Sequence, residues 1–386
     1  MKLVADENIP FVREVFSEFG TIITASGRDI SPELVRDADV LLVRSITKVD
    51  RKLLEGSRVK FVASATIGTD HVDQAYLREK GIGFANAPGS NANSVAEYVF
   101  AALFDLAARW GWRLSEKTIG VVGVGHIGSR VAAWAKALGM TVLENDPPLA
   151  RQSGDPRFLP LEDVLQGADI LTLHVPLTKS GPDKTVHLID GEKLHALKSG
   201  ALLINASRGP VVDNEALKSW LKRRKRESAA VLDVWENEPR IDTELIQHVA
   251  IGTPHIAGYS LDGKINGVRM IYEAACTYFR KQRSIDFGSL LPEPPVPSVE
   301  IETPQINDET LIHTVMNRVY NIRADDTRLR KVIHLHPDER GNYFDSLRKN
   351  YPIRREFSNT RVTLRNGTQA QAEKLKILGF QVNTEE

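Results

Sequence analysis

Arg208, Glu238 and His255 are the residues of this chain whose types and surroundings can do chemistry. They lie in Ala-Ser-Arg-Gly-Pro (206–210), Asp-Val-Trp-Glu-Asn-Glu-Pro (233–239) and Thr-Pro-His-Ile-Ala-Gly (253–258). A guanidinium can grip a carboxylate through two parallel hydrogen bonds and polarise the oxygen beside it. An imidazole ordinarily titrates at about 6.5, so near neutrality it can accept a hydroxyl proton. A carboxylate can orient that ring and stabilise its protonated form. Together they are what is needed to take the proton from a hydroxy acid while a hydride leaves the same carbon. Each alone has a plainer reading: a surface arginine, a solvated acid, a core histidine.

A hydride needs an acceptor, and a site for one lies upstream. Gly123-Val-Gly125-His126-Ile127-Gly128 follows the apolar run 118–122 and opens an Ala-rich helical segment, 127–138. This is the context in which a G-x-G-x-x-G has a mechanism. The first glycine permits the tight turn, the second lets backbone approach a pyrophosphate, and the third lets helix pack on strand. The helix start offers its unpaired amides to phosphate. Asp146 lies about 20 residues further on, at the end of the next apolar run, where an acid bonds the ribose hydroxyls of NAD and repels the extra phosphate of NADP. The cofactor expected is NAD.

The elements that must position these groups alternate. Apolar runs at 2–5, 40–43 and 59–63 are separated by helical spacing at 10–19 and 32–37. Further runs follow at 118–122, 141–144, 170–174, 201–205 and 229–233. Strands alternating with helices predict parallel sheets covered on both faces. The fold class is α/β, with two doubly wound, Rossmann-like sheets. Residues 94–109 read as a long helix, with Ser94 and Glu97 as a capping box. Another runs from Ser260 to about Arg280. Five prolines within 291–304 predict a stiff linker. Beyond it, helical segments at 309–319 and 368–378 and a strand at 331–336 predict a small α+β module.

Of the 386 residues, 42% are apolar and 26% charged, as in ordinary globular proteins. Fifty basic residues balance fifty acidic ones, so no global field favours nucleic acid or a membrane. Cys276 is the sole cysteine, which excludes an intrachain disulfide and fits a reducing cytoplasm. The opening residues lack the apolar run of a signal peptide. The long apolar stretch near 95–112 is broken by Glu97, Asp105 and Arg109, too polar for a membrane span. The basic run 222–226 reads as a solvated helix end. His334 and His336 would share one face of the expected strand, but without further ligands no metal is expected.

The Arg, Glu and His segments, in this chain order, resemble the D-isomer-specific 2-hydroxyacid dehydrogenase family over roughly 1–290. The resemblance implies a discontinuous substrate-binding domain (1–94 and 256–290), an NAD-binding domain (95–255) and a cleft between them, with hinges near 93–95 and 256–260. Segments 43–49, 64–71, 255–260, 321–326 and 344–357 are similar to one member whose substrate is a small phosphorylated hydroxy acid. That similarity extends over the whole chain and implies that 305–386 is a dimerisation domain making a homodimer. It also implies catalytic Arg208, Glu238 and His255, and substrate contacts from Ser45, Thr66 and Tyr259. NAD contacts would come from Gly123, Gly125, His126, Ile127, Gly128, Asp146, Ala206, Ser207, Arg208, Asp233 and Gly258. At Val175 the chain departs from the family, where a threonine is expected to touch the cofactor. Arg44, beside Ser45 at a strand end, is the first candidate for the substrate's phosphate. Arg348, Arg354 and Arg355 are basic residues that could reach a partner's site. A dehydrogenase of another D-2-hydroxy acid, such as 3-phosphoglycerate, and a non-enzymatic NAD-binding scaffold remain alternatives.

Overall fold

Alternation of apolar residues along short strands decides how the core divides. The computed structural model describes residues 1–223, 228–303 and 306–385. The chain forms two units, Met1–Asn91 with Tyr259–Glu293, and Ala92–Gly258 with Pro294–Glu386.

In the first unit β1 (Lys2–Asp6), β2 (Thr21–Ala25), β3 (Val40–Val43), β4 (Phe61–Ser64) and β5 (Gly83–Ala85) form a parallel sheet of order β2-β1-β3-β4-β5. Successive side chains on a strand point to opposite faces. Leu3, Ala5, Val40, Leu42, Phe61 and Ala63 therefore pack with Val268, Ile271, Tyr272 and Ala275 of the helix Leu261–Phe279. Their neighbours Val4, Leu41, Val43 and Val62 pack on the other face with Leu53, Leu54 and Leu77. Strands buried on both faces read as continuous apolar runs, as β3 and β4 do. Ser260 caps the helix by accepting from the Gly263 amide at 2.8 Å, as its sequence predicts.

In the second unit β6 (Thr118–Val122), β7 (Thr141–Asn145), β8 (Ile170–Leu173), β9 (Leu202–Asn205), β10 (Ala229–Leu232) and β11 (Ile251–Gly252) form a parallel sheet of order β11-β10-β9-β8-β6-β7. A single bridge, Glu144 to Phe158, extends it beyond β7. The chain builds outward from β6 to β7, then crosses back to β8. That reversal makes the carboxyl end of β6 the place where such sheets hold ligands. β12 (Ser298–Glu302), β13 (Arg361–Arg365) and β14 (Gln381–Glu385) form a third parallel sheet, joined by the helices Asp308–Val319, Ile322–Arg330, Pro337–Lys349 and Gln369–Ile377.

Three expectations need correction. The expected strand at 331–336 is a 3-10 turn, Lys331–His334, whose Val332 joins Leu329 and Phe344 in the core beneath β8–β10. His334 and His336 therefore share no strand face. β12 lies inside the proline-rich stretch, where Val299 and Ile301 alternate inward between exposed neighbours. The long helix starts at Ala92, so Ser94 is inside it rather than capping it. Ser94 and Glu97 instead bond Glu356 and the Phe357 amide, a long-range demand that local spacing does not reveal. In the basic run, Lys222 and Arg223 end the helix Asn214–Arg223, while 224–226 lie outside the described residues. No helix among the described residues is long and apolar enough to cross a membrane.

Candidate active site

The predicted residues of the second unit collect where its strands end, in the loops after β6, β7, β8, β9, β10 and β11. The fingerprint glycines divide by what surrounds them. A Cβ on Gly128 would lie 1.9 Å from the Gly123 carbonyl oxygen, so the third glycine is required by helix-on-strand packing. Gly123 has φ +86°, and a Cβ there would meet His174 backbone and Val175 Cγ1 at 2.8 Å. A Cβ on Gly125 would meet nothing within 4 Å, and Gly125 and His126 are exposed. Crowded flanks with an open middle are what a backbone cradle for a pyrophosphate needs. Asp146 braces the cradle. Its Oδ2 accepts from the Val124 amide at 2.8 Å, and its Oδ1 caps the helix Pro147–Ser153 through Leu149. Val175 offers only apolar surface here, while His174 is held neutral. Burial pushes its pKa down to about 3, and Nε2 pairs with Thr172 at 3.0 Å.

Arg208 is set by a turn built on the buried Asn205. The Asn205 side chain accepts from the Ser207 amide and hydroxyl at 3.1 and 2.8 Å, and donates to the Arg208 carbonyl at 3.0 Å. Asparagine favours such turns because its amide mimics backbone. The guanidinium Nη1 donates to the Ser207 carbonyl at 2.8 Å. Gly209 then passes against the loop that carries Glu238: a Cβ would lie 2.0 Å from the Trp235 carbonyl oxygen and 2.7 Å from the Glu236 nitrogen. Backbone cannot yield as a side chain can. Gly209→Ala should therefore cost about 2–4 kcal/mol and lower turnover, checked by thermal melting alongside kinetics; unchanged Tm and kcat would refute the crowding.

Glu238 and His255 meet as their chemistry requires. His255 Nδ1 lies 2.8 Å from Glu238 Oε2, and Glu238 Oε1 accepts from the Trp235 amide at 2.9 Å. Burial pushes the Glu238 carboxyl up, but the His255 charge and hydrogen bond, the Trp235 amide and the Arg348 charge together bring it below its ordinary value. The carboxylate can only accept, so Nδ1 carries a proton in either form of the ring, and whenever the ring is neutral Nε2 holds the lone pair. The ring is one-third exposed.

His255 has φ +58°, a left-handed conformation that a non-glycine residue keeps only when its surroundings enforce it. Buried Asp233 enforces it. Its carbonyl accepts from the His255 amide at 2.7 Å, and its carboxylate accepts from the Ile256 and Ala257 amides and the Thr253 hydroxyl. Thr253 gives its one proton to Asp233, so Tyr98, 2.8 Å away, donates to Thr253. Desolvation raises the Asp233 pKa despite these donors, and burial followed by the Asp233 charge raises that of Tyr98. Asp233, expected to touch NAD, has both carboxylate oxygens engaged on the histidine loop. Asn205, Tyr98 and Thr253 escaped the sequence reading; only the Asn-x-x-Arg turn pattern carried a signal.

In the first unit Arg44, Ser45 and Thr66 also sit just beyond strand ends, and Tyr259 directly precedes the cap of the helix Leu261–Phe279. Arg44 Nη2 lies 3.4 Å from the Tyr259 hydroxyl, and Lys264 Nζ stands 4.4 Å over the Tyr259 ring. The Thr66 hydroxyl bonds Ser64 at 2.7 Å and the Gly68 carbonyl at 3.1 Å, and Ser45 is exposed. Arg354 and Arg355, expected near a partner's site, are instead buried in their own chain. No cluster of three or more metal-ligating side chains exists among the described residues.

This arrangement has known counterparts. The profile of the D-isomer specific 2-hydroxyacid dehydrogenase NAD binding domain matches residues 95–257, and that of a domain of unknown function (DUF3410) matches 290–379. D-lactate dehydrogenase from Aquifex aeolicus, solved with NAD and lactic acid, has a TM-score of 0.61 at 27% identity over 72% of this chain and 96% of that one. NAD-bound 3-phosphoglycerate dehydrogenase of Entamoeba histolytica has a TM-score of 0.63 at 25% identity, covering 72% and 95%. The chain belongs to the D-isomer specific 2-hydroxyacid dehydrogenase family. Over 380 residues, 98% of this chain and 99% of the other, it is 47% identical to erythronate-4-phosphate dehydrogenase of Serratia proteamaculans (strain 568).

Proposed function

We propose that the protein oxidises the C2 hydroxyl of 4-phospho-D-erythronate to 2-oxo-3-hydroxy-4-phosphobutanoate with NAD, in pyridoxal 5′-phosphate (vitamin B6) biosynthesis. The observation that carries this is the His255–Glu238 pair at 2.8 Å, at the strand ends of a dinucleotide fold, in a chain alignable almost end to end with erythronate-4-phosphate dehydrogenases. NAD, when bound, supplies the hydride acceptor. NAD would be held by Gly123–Gly128, whose backbone would take its pyrophosphate, by Asp146 at a ribose, and by Val175, Ala206, Ser207, Arg208, Asp233 and Gly258.

The chain's own residues do the rest. Arg208 takes the substrate carboxylate and polarises the C2 oxygen, fixing which hydroxyl reacts. His255 Nε2, the atom left with the lone pair, accepts the C2 hydroxyl proton. Glu238 holds Nδ1 and stabilises the imidazolium that forms. Ser45, Thr66 and Tyr259 bind the substrate, and Arg44 binds its phosphate. The C-terminal module makes a homodimer, which sedimentation of the purified protein would test. The protein works in the cytoplasm, without a nucleic-acid or membrane partner.

Turnover of 4-phospho-D-erythronate with NAD, with and without a 2-oxo acid to reoxidise NADH, tests the activity. A higher kcat/KM for 3-phosphoglycerate would overturn the substrate assignment. For the phosphate, Arg44→Ala should raise KM for 4-phospho-D-erythronate about 10- to 100-fold, the worth of one charge-assisted hydrogen bond. An equal rise for unphosphorylated erythronate would reject the phosphate role.

A further inference from the structure

The family domain of unknown function at 290–379 does more here than form its own sheet. Its segment Arg354–Phe357 inserts against the start of the helix Ala92–Trp110. Glu356 accepts from the Ser94 hydroxyl at 3.1 Å and the Asn93 amide group at 3.0 Å. The Phe357 amide donates to Glu97 at 2.7 Å, and the Phe357 ring stacks on Phe380 with centroids 4.5 Å apart. Arg354, only 5% exposed, is thereby held in the interior of the unit. Its Nη2 donates to the Ala257 carbonyl at 2.6 Å and to the Ser94 carbonyl at 3.3 Å, and its guanidinium lies 4.4 Å over the Tyr320 ring. Its Nε and Nη1 have no hydrogen-bond partner among the described residues. Burial opposes this cation, but the neighbouring Tyr351, Tyr320, Glu97 and Asp325 favour it, so the guanidinium stays charged and donates strongly to the two carbonyls.

The Ala257 carbonyl is one that does. Asp233 grips the Ala257 amide at 2.9 Å, so Arg354 completes a clamp on this residue, two beyond His255. The same module supports the other half of the pair. The helix Pro337–Lys349 packs on the turn after Glu238: a Cβ on Gly341 would touch Pro239 and Arg240 at 3.5 Å.

We propose that Arg354 is a positioning residue for the dehydrogenation: acting through the Ala257 carbonyl, it fixes the strained loop that aims His255 at the substrate hydroxyl. The C-terminal module is thus part of the catalytic architecture of its own chain as well as a dimerisation element. This rests on the reading of His255 as the proton acceptor.

The test compares Arg354→Met, Arg354→Lys, His255→Asn and the double variant Arg354→Met/His255→Asn. Arg354→Met should lower kcat about 10- to 100-fold, the scale of a small misplacement of a reacting group, with NAD affinity within about two-fold. Arg354→Lys, which keeps one donor for Ala257, should recover most of that loss. On the His255→Asn background the Met substitution should have almost no further effect, because residues that act as a unit are not additive. A purely structural role would instead lower kcat and NAD affinity together, or add its full loss to that of His255→Asn; either result overturns the proposal, as does normal kcat in Arg354→Met. Should Arg354→Met not fold, Arg354→Gln, which keeps a polar side chain but not the charge, is read in its place by the same comparisons. Faster hydrogen exchange at the Ile256 and Ala257 amides with reduced kcat supports the clamp; unchanged exchange and kcat overturn it. His255→Asn with near-normal turnover would reject the underlying reading, independently of Arg354.

Discussion

Replacing His255 by asparagine should lower kcat by about 10³- to 10⁴-fold while leaving NAD affinity within a few-fold. The proton acceptor contributes about 10²–10⁴ to such reactions, and its loss also strands Glu238, whose Oε2 faces the ring at 2.8 Å. Asparagine keeps the left-handed loop, since it tolerates φ near the observed +58° better than most residues. The loss is therefore chemical rather than conformational. Glu238→Gln should give a smaller decrease, because a neutral amide still fills the space but stabilises the imidazolium less. It should also change the pH dependence of stability. The native Glu238 pKa is depressed, so the pair's contribution is complete above the ordinary glutamate value of about 4.3. It is lost as pH falls through the lower folded value. Denaturation curves for the wild type and Glu238→Gln should therefore converge in acid. Parallel curves would contradict the pairing.

The second large effect is expected at Asp233. In Asp233→Asn, one side-chain atom can no longer accept, yet the Ile256 and Ala257 amides and the Thr253 hydroxyl all remain aimed at it. At least one buried donor is left facing another donor, at about 1–3 kcal/mol each. The expected result is a loss of about 2–4 kcal/mol, with a kcat decrease larger than any change in NAD affinity, since the loop held is that of His255. The pH dependence has the opposite sign to that of Glu238. Burial raises the native Asp233 pKa, so wild-type stability decreases as pH rises from the ordinary aspartate value of about 3.9 through the folded one. The asparagine variant lacks that slope. Urea titrations at several pH values measure both features. A variant that kept wild-type stability and turnover would show that Asp233 does not hold the loop.

The cofactor fingerprint was legible in the sequence because its signals are local. The G-x-G-x-x-G after an apolar run and Asp146 at the next strand end announce themselves within a short stretch, whereas Arg208, Glu238 and His255, each with a plainer reading alone, stood out only through the family resemblance. Strands β3 and β6 are also plain, since burial on both faces makes their runs continuous. Elements fixed by distant partners were not legible. Ser94 and Glu97 have the spacing of a capping box, but Glu356 and Phe357 claim them from more than two hundred residues away. Val332 lies in what reads as a strand, yet its segment follows directly on the helix Ile322–Arg330 and is drawn into the core as a 3-10 turn. Asp233 illustrates the same limit at the site: nothing near it in sequence shows that its carboxylate accepts from the amides of the next loop. Arg354 reads as one of several surface cations, and only its burial reveals the clamp on Ala257.

In the proposed reaction His255, held by Glu238, takes the C2 hydroxyl proton as hydride leaves C2 of 4-phospho-D-erythronate. Single turnover of substrate deuterated at C2, with NAD in excess, tests it most directly. Deuterium should appear in the reduced nicotinamide, with transfer slowed by about 10³-fold or more in His255→Asn at unchanged cofactor binding. Absence of label from the cofactor, or label arriving at the wild-type rate without His255, would contradict it.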